Sequence, residues 1–274
     1  MVPAGRASDL EAGEIVIPAG AAFALTNAEA ARVAEGVAAG RSKNVSLDPN
    51  TGALRGASED VSRDAVVSAL MGRHAAWARD LIVEIAPGYG PHLRMGRGSL
   101  RTRDAGEPAL SPRKDDRRLH ADAFPSRPTG GERILRVFSN INPDGQPRIW
   151  RIGEPFEDYA RRWVRRVRAP WPGEAWLLKT LGVTRARRTP YDALMLGLHD
   201  RAKLDEDYQR TAPRREVAFA AGASWIVFTD GVVHAALSGR YALEQTFYLP
   251  VAAMADPETS PLRVLERMTA RRLA

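Results

Sequence analysis

The residues best suited to bind a metal lie in the short segment Leu119-His-Ala-Asp122. In an extended chain alternate side chains point to the same face, so His120 and Asp122 would lie side by side. An imidazole and a carboxylate in this arrangement supply two ligands for a divalent cation. The segment therefore predicts part of a metal site.

A third candidate ligand, His234, follows the sequence Thr229-Asp-Gly-Val-Val233. The glycine predicts a turn into a strand on which His234 stands between apolar neighbours. Although His234 is distant from Asp122 in sequence, a jelly roll brings such strands together. Two histidines and one carboxylate leave three metal positions open, which is the arrangement of non-haem Fe(II) oxygenases.

This donor set predicts an enzyme that uses Fe(II), 2-oxoglutarate and O₂. Bidentate 2-oxoglutarate would occupy two of the open positions, and O₂ would occupy the third. The alternative is that His120 is a buried histidine satisfied by Asp122 without a metal. A further metal pair at His199-Asp200 is not expected, because adjacent helical residues point about 100° apart.

The composition limits the chemistry that the chain can perform. Of its 274 residues, 44% are hydrophobic and 27% are charged, which is ordinary for a globular protein. The absence of cysteine excludes disulfides, thiolate zinc sites and cysteine nucleophiles. A formal charge of +7 and a pI of about 10.1 favour nucleic acid, an anionic membrane face or an acidic substrate as partner.

The apolar segments of the sequence indicate where we expect the protein to be located. We expect no membrane span, because no stretch of the sequence is apolar for long enough. Residues 15–25 contain Pro18 and Gly20 and follow the acidic Glu11 and Glu14, unlike a secretory signal. We therefore expect a cytoplasmic protein that is either soluble or peripheral to the inner membrane.

The candidate ligands lie within a pattern of β-strands. Strands are predicted at residues 118–122, 133–141, 147–152, 215–220, 224–228, 232–237 and 241–249. Helices broken by prolines are predicted between them, at residues 156–168, 174–181 and 191–201. This order favours an α+β protein with a jelly-roll core, a double-stranded β-helix, surrounded by helices.

We expect one domain over residues 1–274. Residues 1–110 would support a jelly-roll core formed by residues 111–155 and 213–250, with a helical insertion at residues 156–212. In the supporting part, Thr26-Asn27 could cap an alanine-rich helix at residues 29–40. A longer helix is predicted at residues 58–85, before Pro87-Gly88.

The distal carboxylate of 2-oxoglutarate requires a cation, which an arginine fork supplies best. Arg136 lies on the face of the strand at residues 133–141 that also carries Ile134, Phe138 and Asn140. A buried arginine on this face would be costly without a charged partner. We therefore prefer Arg136 as the anchor, with Asn140 as a polar helper, and a structural ion pair of Arg136 is the alternative.

Arg240 is the rival anchor, and a hairpin register separates the two. A two-residue turn at Ser238-Gly239 would join the last two strands. His234 would then pair with Leu243. The face of His234 would also carry Tyr241, Leu243, Gln245 and Phe247. Arg240 and Glu244 would point outward, and Gln245 would become a second polar helper at the cosubstrate site.

Several strings of the sequence are characteristic of one enzyme family. They include Arg118-Leu-His-Ala-Asp-Ala-Phe-Pro-Ser-Arg-Pro-Thr129 and residues 113–116, 133–143, 148–156, 191–192, 225–230, 234–239 and 243–247. In these strings the chain resembles the Kdo hydroxylases, Fe(II)/2-oxoglutarate dioxygenases that act on the inner core of lipopolysaccharide. The resemblance is spread over most of the chain.

The resemblance has implications for the reaction and its residues. It implies oxidation of the terminal 3-deoxy-manno-octulosonic acid (Kdo) of a lipid A precursor to its 3-hydroxylated form, Ko. It also implies that His120, Asp122 and His234 are the iron ligands. Ser126 and Arg127 follow the ligand segment and could bind a sugar carboxylate at the mouth of the site, or Arg127 could instead brace the loop.

Two further interpretations concern the basic surface. Residues 159–168, with Trp171 and Trp176, combine cationic and interfacial side chains that could lie on an anionic bilayer. The alternative is an ordinary solvated face. A dioxygenase for another acidic sugar or lipid stays open, whereas a nucleic-acid-binding protein would need aromatic residues on a basic strand or a recognition helix, and neither is evident.

Overall fold

The structure, a computed structural model, describes residues 6–35, 37, 42, 44–57, 65–108 and 111–274. Within these residues the α-helices are α1 (Arg6–Glu11), α2 (Asn27–Ala34), α3 (Ala65–Ile85), α4 (Phe156–Trp163), α5 (Glu174–Thr180), α6 (Pro190–Leu204), α7 (Glu206–Thr211) and α8 (Pro261–Thr269). The β-strands are β1 (Val45–Leu47), β2 (Leu54–Arg55), β3 (Arg94–Arg101), β4 (Arg133–Asn140), β5 (Arg148–Pro155), β6 (Arg215–Phe219), β7 (Ser224–Phe228), β8 (Val232–Ser238) and β9 (Ala242–Leu249).

The strands of the described residues form two antiparallel sheets. The major sheet has six strands in the order β2-β1-β3-β9-β4-β7, and the minor sheet has three in the order β6-β5-β8. From β4 onward the chain passes between the sheets, since β4, β7 and β9 belong to the major sheet and β5, β6 and β8 to the minor sheet. Such passage between two facing sheets is the topology of a jelly roll.

The two sheets pack face to face around a cluster of aromatic side chains. Phe219 of β6 stacks on Trp225 of β7 with ring centroids 3.8 Å apart. Trp150 of β5 meets Phe138 of β4 edge-on at 4.9 Å, a geometry that contributes about 0.5–1.5 kcal/mol beyond area burial. Trp150 also stacks on the ring of His234 at 5.0 Å. The aromatic core therefore positions one of the candidate ligands.

The strand predicted at residues 118–122 is wrong in extent, because only one bridge forms there. His120 and His234 exchange two backbone hydrogen bonds, of 3.0 and 2.8 Å, and extend the minor sheet beside β8. The side chain of Gln209 in α7 donates to the Leu119 carbonyl oxygen and accepts from the Leu119 amide. The Asp122 amide donates to the carbonyl oxygen of Thr229 at 2.8 Å. A side chain and a turn thus replace a neighbouring strand.

The predicted hairpin between the last two strands is also wrong. β8 pairs with β5 in the minor sheet, whereas β9 pairs with β3 and β4 in the major sheet. The chain crosses between the sheets at Gly239 and Tyr241, which have positive φ angles of 111° and 55°. A Cβ atom at Gly239 would lie 2.8 Å from the Cα atom of Arg148, so only glycine fits this crossing. His234 therefore does not pair with Leu243.

Helices cover the face of the major sheet that points away from the minor sheet. Residues of α3, including Ile82, pack with Leu135 and Val137 of β4 in the largest core cluster. Phe138 instead faces the minor sheet in the aromatic cluster. Leu135 and Val137 therefore lie on a helix-packed face of β4, and Phe138 lies on the interior face, which it was predicted to share with Arg136.

Helix boundaries follow their capping residues. α6 begins one residue earlier than predicted, at Pro190, because Thr189 and Asp192 form a capping box. Thr26 caps α2 in the same way, and the helix ends at Ala34. Residues 36 and 38–40 of that predicted helix, and residues 58–64 of the predicted helix before Pro87, lie outside the described residues.

Two elements near the site were not predicted. The short helix α7 supplies Gln209, and β3 contains Gly96 and Gly98, which make its sequence unlike a strand. β3 and β1 extend the major sheet beyond the residues predicted for the jelly-roll core.

None of the described helices combines the length and the apolar character that crossing a membrane requires.

Candidate metal centre

The three predicted ligands converge. One ligand atom of each of His120, Asp122 and His234 lies within 4.8 Å of the others. The two imidazole centroids are 4.7 Å apart, and the His120 Nε2 atom lies 3.5 Å from an Asp122 carboxylate oxygen. The bridge between His120 and His234 sets the first distance, and the two-residue spacing of the ligand segment sets the second. The structure thus brings together residues far apart in sequence.

Hydrogen bonds to the backbone fix the orientation of both rings. The Nδ1 atom of His120 lies 2.7 Å from the carbonyl oxygen of Arg118, and that of His234 lies 2.8 Å from the carbonyl oxygen of Val232. A carbonyl oxygen can only accept, so each Nδ1 carries the proton and each Nε2 keeps a lone pair. Metal-bound histidines are typically held in this way.

The electrostatic surroundings keep all three groups in the metal-binding state at neutral pH. Burial, reinforced by the positive charge of Lys203, lowers the pKa of His120 to about 3. Burial also lowers the pKa of His234. Burial acts to raise the pKa of Asp122, but the Arg136 guanidinium and His120 outweigh it and hold the pKa well below its usual range. Neutral imidazoles and an ionised carboxylate are the forms that bind a metal.

The residues present fit a ferrous ion. The Oδ2 atom of Asp122 is buried and forms no hydrogen bond among the described residues, although it lies 3.1 Å from the Nη1 atom of Arg136. Nitrogen and oxygen donors without a thiolate suit Fe(II), and three donors on one side leave the opposite side open. That open side borders a cavity of about 200 Å³.

Three arginines from three different strands line this cavity. Its lining consists of Arg101, Asp116, His120, Asp122, Phe124, Arg136, Phe138, Arg148, Trp150, His234 and Ala236. Arg136, the predicted anchor, is at the cavity, where its Nη1 atom lies 3.1 Å from Asp122 and 3.3 Å from Glu244. The expected charged partner therefore exists, and it includes a candidate ligand.

Arg101 and Arg148 were missed by the sequence reasoning. Arg101 donates two hydrogen bonds to Glu244, of 3.0 and 2.7 Å. Arg148 donates to the carbonyl oxygen of Gly239 at 2.9 Å, and no carboxylate of the described chain forms an ion pair with it. Burial, with the nearby charge of Arg101, lowers the pKa of Arg148 to about 10. The alternation of Arg148 and Trp150 along one face of β5 was the signal available in the sequence.

Gln245, predicted to help bind the cosubstrate, does not line the cavity. Gln245 was predicted on the face of His234, but it lies on the helix-packed face opposite Val137 and donates to the carbonyl oxygen of Gly96. Its neighbour Glu244, predicted to point outward, is buried and contacts Arg136 of the cavity lining. The physical reason is the crossing between sheets at Gly239, which replaces the hairpin. This part of the prediction is wrong.

Asn140 and Arg240 also lie away from the open side of the metal centre. Asn140 is on the interior face of β4, as predicted, but its amide nitrogen donates to the carbonyl oxygens of Gln146 and Phe219. Arg240 is exposed and donates to the carbonyl oxygen of Thr102. Neither side chain lines the cavity.

Ser126 and Arg127 lie on the loop that follows the ligand segment, and the helical insertion holds this loop. The backbone amide of Arg185 donates to the carbonyl oxygen of Ser126 at 3.0 Å. One carboxylate oxygen of Asp192 accepts from the amides of Thr129 at 2.7 Å and Gly130 at 3.1 Å. Ser126 is exposed and Arg127 is half-buried, so both are within reach of a molecule outside the site.

Comparisons with known proteins point to one enzyme family. A family model described as 3-deoxy-D-manno-oct-2-ulosonic acid (Kdo) hydroxylase matches residues 3–272. Among solved structures, the Kdo hydroxylase KdoO, a non-haem Fe(II) α-ketoglutarate-dependent dioxygenase in complex with α-ketoglutarate and Fe(III), is 43% identical. That match covers 97% of this chain and 90% of that chain, with a TM-score of 0.91.

The structure of KdoO in complex with cobalt(II) is 44% identical, covers 97% of this chain and 89% of that chain, and has a TM-score of 0.92. None of the curated proteins matches the chain. The predicted jelly-roll core surrounded by helices is confirmed by this structural similarity.

Loss of one ligand should strongly weaken metal binding. We expect His234→Ala to weaken Co(II) binding, measured by anaerobic titration, by more than the roughly 10–100-fold that loss of an outer-shell partner costs. His199→Gln is the matched control, because the His199 ring lies 5.2 Å from His120 but its Nδ1 atom is engaged with Asp200 at 3.0 Å. Equal loss of Co(II) binding in both variants would contradict the assignment.

Proposed function

Since this chain belongs to the Kdo hydroxylase family, we propose that it converts the terminal Kdo of a lipid A precursor to the 3-hydroxylated sugar Ko. The chain is an Fe(II)- and 2-oxoglutarate-dependent dioxygenase. The observation that carries the proposal is the convergence of three ligand atoms within 4.8 Å beside a cavity lined with arginines. In the proposal His120, Asp122 and His234 hold the iron.

The chain's own residues orient the reactants and exclude water. When bound, the ferrous ion supplies activation of O₂, coupled to decarboxylation of 2-oxoglutarate to succinate and CO₂. Arg136 holds the carboxylate of Asp122 in place through their 3.1 Å contact. Phe124, Phe138 and Trp150 form apolar walls that keep bulk water out of the cavity. Removal of hydrogen from carbon requires no general base, so the site needs no additional histidine.

The cosubstrate carboxylate is proposed to bind Arg136 together with Arg148. Arg136 shares its charge with Asp122 and Glu244, whereas Arg148 forms no ion pair in the described part of the chain. The Nε atoms of both arginines lack a hydrogen-bond partner there, and Arg148, which has no ion pair, would gain most from a carboxylate. Arg136 would therefore orient the candidate metal ligand Asp122, and Arg148 would supply N–H donors to the cosubstrate carboxylate.

The acidic substrate would enter past the loop that carries Ser126 and Arg127. The loop follows Asp122 directly, and the helical insertion holds it in a defined conformation. We propose that both side chains contact the glycolipid at the mouth of the site, as the sequence suggested. A basic protein with a pI of about 10.1 suits a substrate and a membrane face that are both negative.

Because the proposed substrate is a glycolipid, we also propose that the protein contacts a bilayer. Trp171, Trp176, Leu181 and Val183 of the insertion are 52%, 58%, 66% and 50% exposed. The basic residues Arg165, Arg166, Arg168 and Lys179 lie in the same segment. Interfacial aromatic rings beside cationic side chains are typical of peripheral binding to an anionic surface. We propose that this segment rests on the cytoplasmic face of the inner membrane.

The reaction can be tested with a Kdo-bearing lipid A precursor. Anaerobic addition of Fe(II) and 2-oxoglutarate should produce the weak visible charge-transfer band of this enzyme class. With O₂, mass spectrometry should then show a gain of one oxygen by the glycolipid and equimolar succinate, and the His234→Ala control should show neither. A charge-transfer band without any change in the mass of the glycolipid would refute Kdo as the substrate. It would still support a dioxygenase that acts on another substrate.

The cosubstrate contacts can be tested by comparing two arginines. Arg148→Gln should raise the KM for 2-oxoglutarate about 10–100-fold, because it removes charge-assisted hydrogen bonds, and it should leave Co(II) affinity unchanged. Arg136→Gln should worsen both quantities, since it also releases Asp122. The exposed Arg240→Gln is the control and should change neither. An unchanged KM in Arg148→Gln would exclude Arg148 as an anchor.

Membrane contact can be measured by co-sedimentation with anionic vesicles. Trp171→Ser and Trp176→Ser should each weaken binding about tenfold, since burial of a large apolar side chain contributes about 1.5–3 kcal/mol. Ile17→Ser is the matched control, because Ile17 is 51% exposed and lies outside the insertion. Retention of full vesicle binding in the tryptophan variants would argue for a merely solvated surface.

A further inference from the structure

A second cavity, here called the arginine cavity, lies beyond the loop that carries Ser126. It has a volume of about 190 Å³, and four guanidinium groups reach its lining, from Arg94, Arg97, Arg127 and Arg185. These residues come from β3, from the loop after the ligand segment and from the end of the helical insertion. Three separate parts of the chain therefore place positive charge around one small space.

Acidic residues neutralise only part of this charge. Arg97 forms an ion pair with Asp48, and Arg94 forms one with Glu132. Across the described residues, no ion pair involves Arg127 or Arg185, which leaves two positive charges in excess. Burial, together with the charges of Arg97 and Arg185, lowers the pKa of Arg127. Guanidinium groups that repel one another in a shared cavity are stabilised by an oxyanion.

The arginine cavity lies on the same face of the major sheet as the metal centre. Tyr248 lines the cavity and Glu244 contacts Arg136, and alternation along β9 puts both on one face. Four residues of extended strand separate them by about 13 Å. Arg94 pairs with Tyr248 across the neighbouring strand. An extended substrate could therefore reach both places at once.

We infer that the arginine cavity binds a second oxyanion of the glycolipid, distinct from the carboxylate of the sugar that is hydroxylated. This inference rests on the proposed function. The Kdo carboxylate is attached to the carbon next to C3, so a sugar with C3 at the iron keeps that carboxylate beside the metal centre. A group bound in the arginine cavity, whose Tyr248 lies about 13 Å along β9 from Glu244, would belong to another part of the molecule. A phosphate monoester or the carboxylate of a second acidic sugar has the required chemistry.

The position of Arg185 connects this site with the proposed membrane contact. Arg185 is exposed and follows Leu181 and Val183 at the end of the insertion, and its amide binds the Ser126 carbonyl oxygen at 3.0 Å. The element that would touch the bilayer is therefore also the element that brings a cation to the cavity. A phosphorylated headgroup lies at that depth of a membrane.

The test compares Arg185→Gln with Arg187→Gln. Both residues are exposed on the same loop, but Arg187 does not line the cavity. Arg185→Gln should raise the KM for the intact glycolipid about tenfold, whereas Arg187→Gln should leave it unchanged. Arg97→Gln should act in the same direction, and Arg185→Lys should be intermediate because it keeps the charge and loses the fork.

Modified substrates identify the anion. If a phosphate binds, phosphatase-treated glycolipid should have a raised KM with the unmodified protein and show no additional effect of Arg185→Gln. If the carboxylate of a second acidic sugar binds instead, a glycolipid with only one acidic sugar should have the raised KM and show no additional effect of Arg185→Gln. An effect of Arg185→Gln that persists with both modified substrates, or equal KM values for Arg185→Gln and Arg187→Gln, would overturn the inference.

The outcome is separable from that of the proposed function. The charge-transfer band and Co(II) affinity of Arg185→Gln should match those of the unmodified protein, which also shows that the variant is folded. Failure of the unmodified protein to oxidise the Kdo glycolipid would refute the proposed function. Oxidation with an unaltered KM in Arg185→Gln would refute the arginine cavity alone.

Discussion

The structure of the metal centre depends on one pair of backbone hydrogen bonds, between His120 and His234. These bonds, of 3.0 and 2.8 Å, join two segments that are far apart in sequence and set the spacing of their imidazoles. Each ring is then turned by a bond from its Nδ1 atom to a nearby carbonyl oxygen, and Trp150 packs against one of them. Ligand geometry is therefore a property of the backbone, supported by a rigid aromatic core.

Charge balance is the second constraint on the interior. Arg101 and Arg136 share the carboxylate of Glu244, and Arg136 also contacts Asp122. Buried arginines are tolerable because each is held by carboxylates or carbonyl oxygens, and removing one partner would leave its charge uncompensated. Arg148 has only a carbonyl oxygen as partner in the described structure. The cavity therefore retains a capacity for a negative ligand that the protein itself does not satisfy.

Sequence patterns predicted the chemistry better than the register. The placement of His120 beside Asp122 could be predicted because alternation in an extended chain is a local property. The structure brings His234 beside both. The faces of Glu244 and Gln245 were interchanged, because whether two successive strands pair or cross between sheets depends on packing that a short turn does not reveal. Arg101 was missed because the glycines of β3 hide a strand whose partners lie far along the chain. Local periodicity could thus be predicted from the sequence, whereas the pairing of strands that are distant along the chain could not.

The contact between Gln209 and Leu119 has a consequence for the exposed side of the minor sheet. An amide side chain donates to and accepts from the backbone of the residue that precedes the first ligand, as a neighbouring strand would. An uncovered strand edge is a template for pairing with another chain. Here the glutamine occupies that edge beside His120, where a foreign strand would otherwise pair, so one side chain protects the segment of the candidate ligands from pairing with another chain.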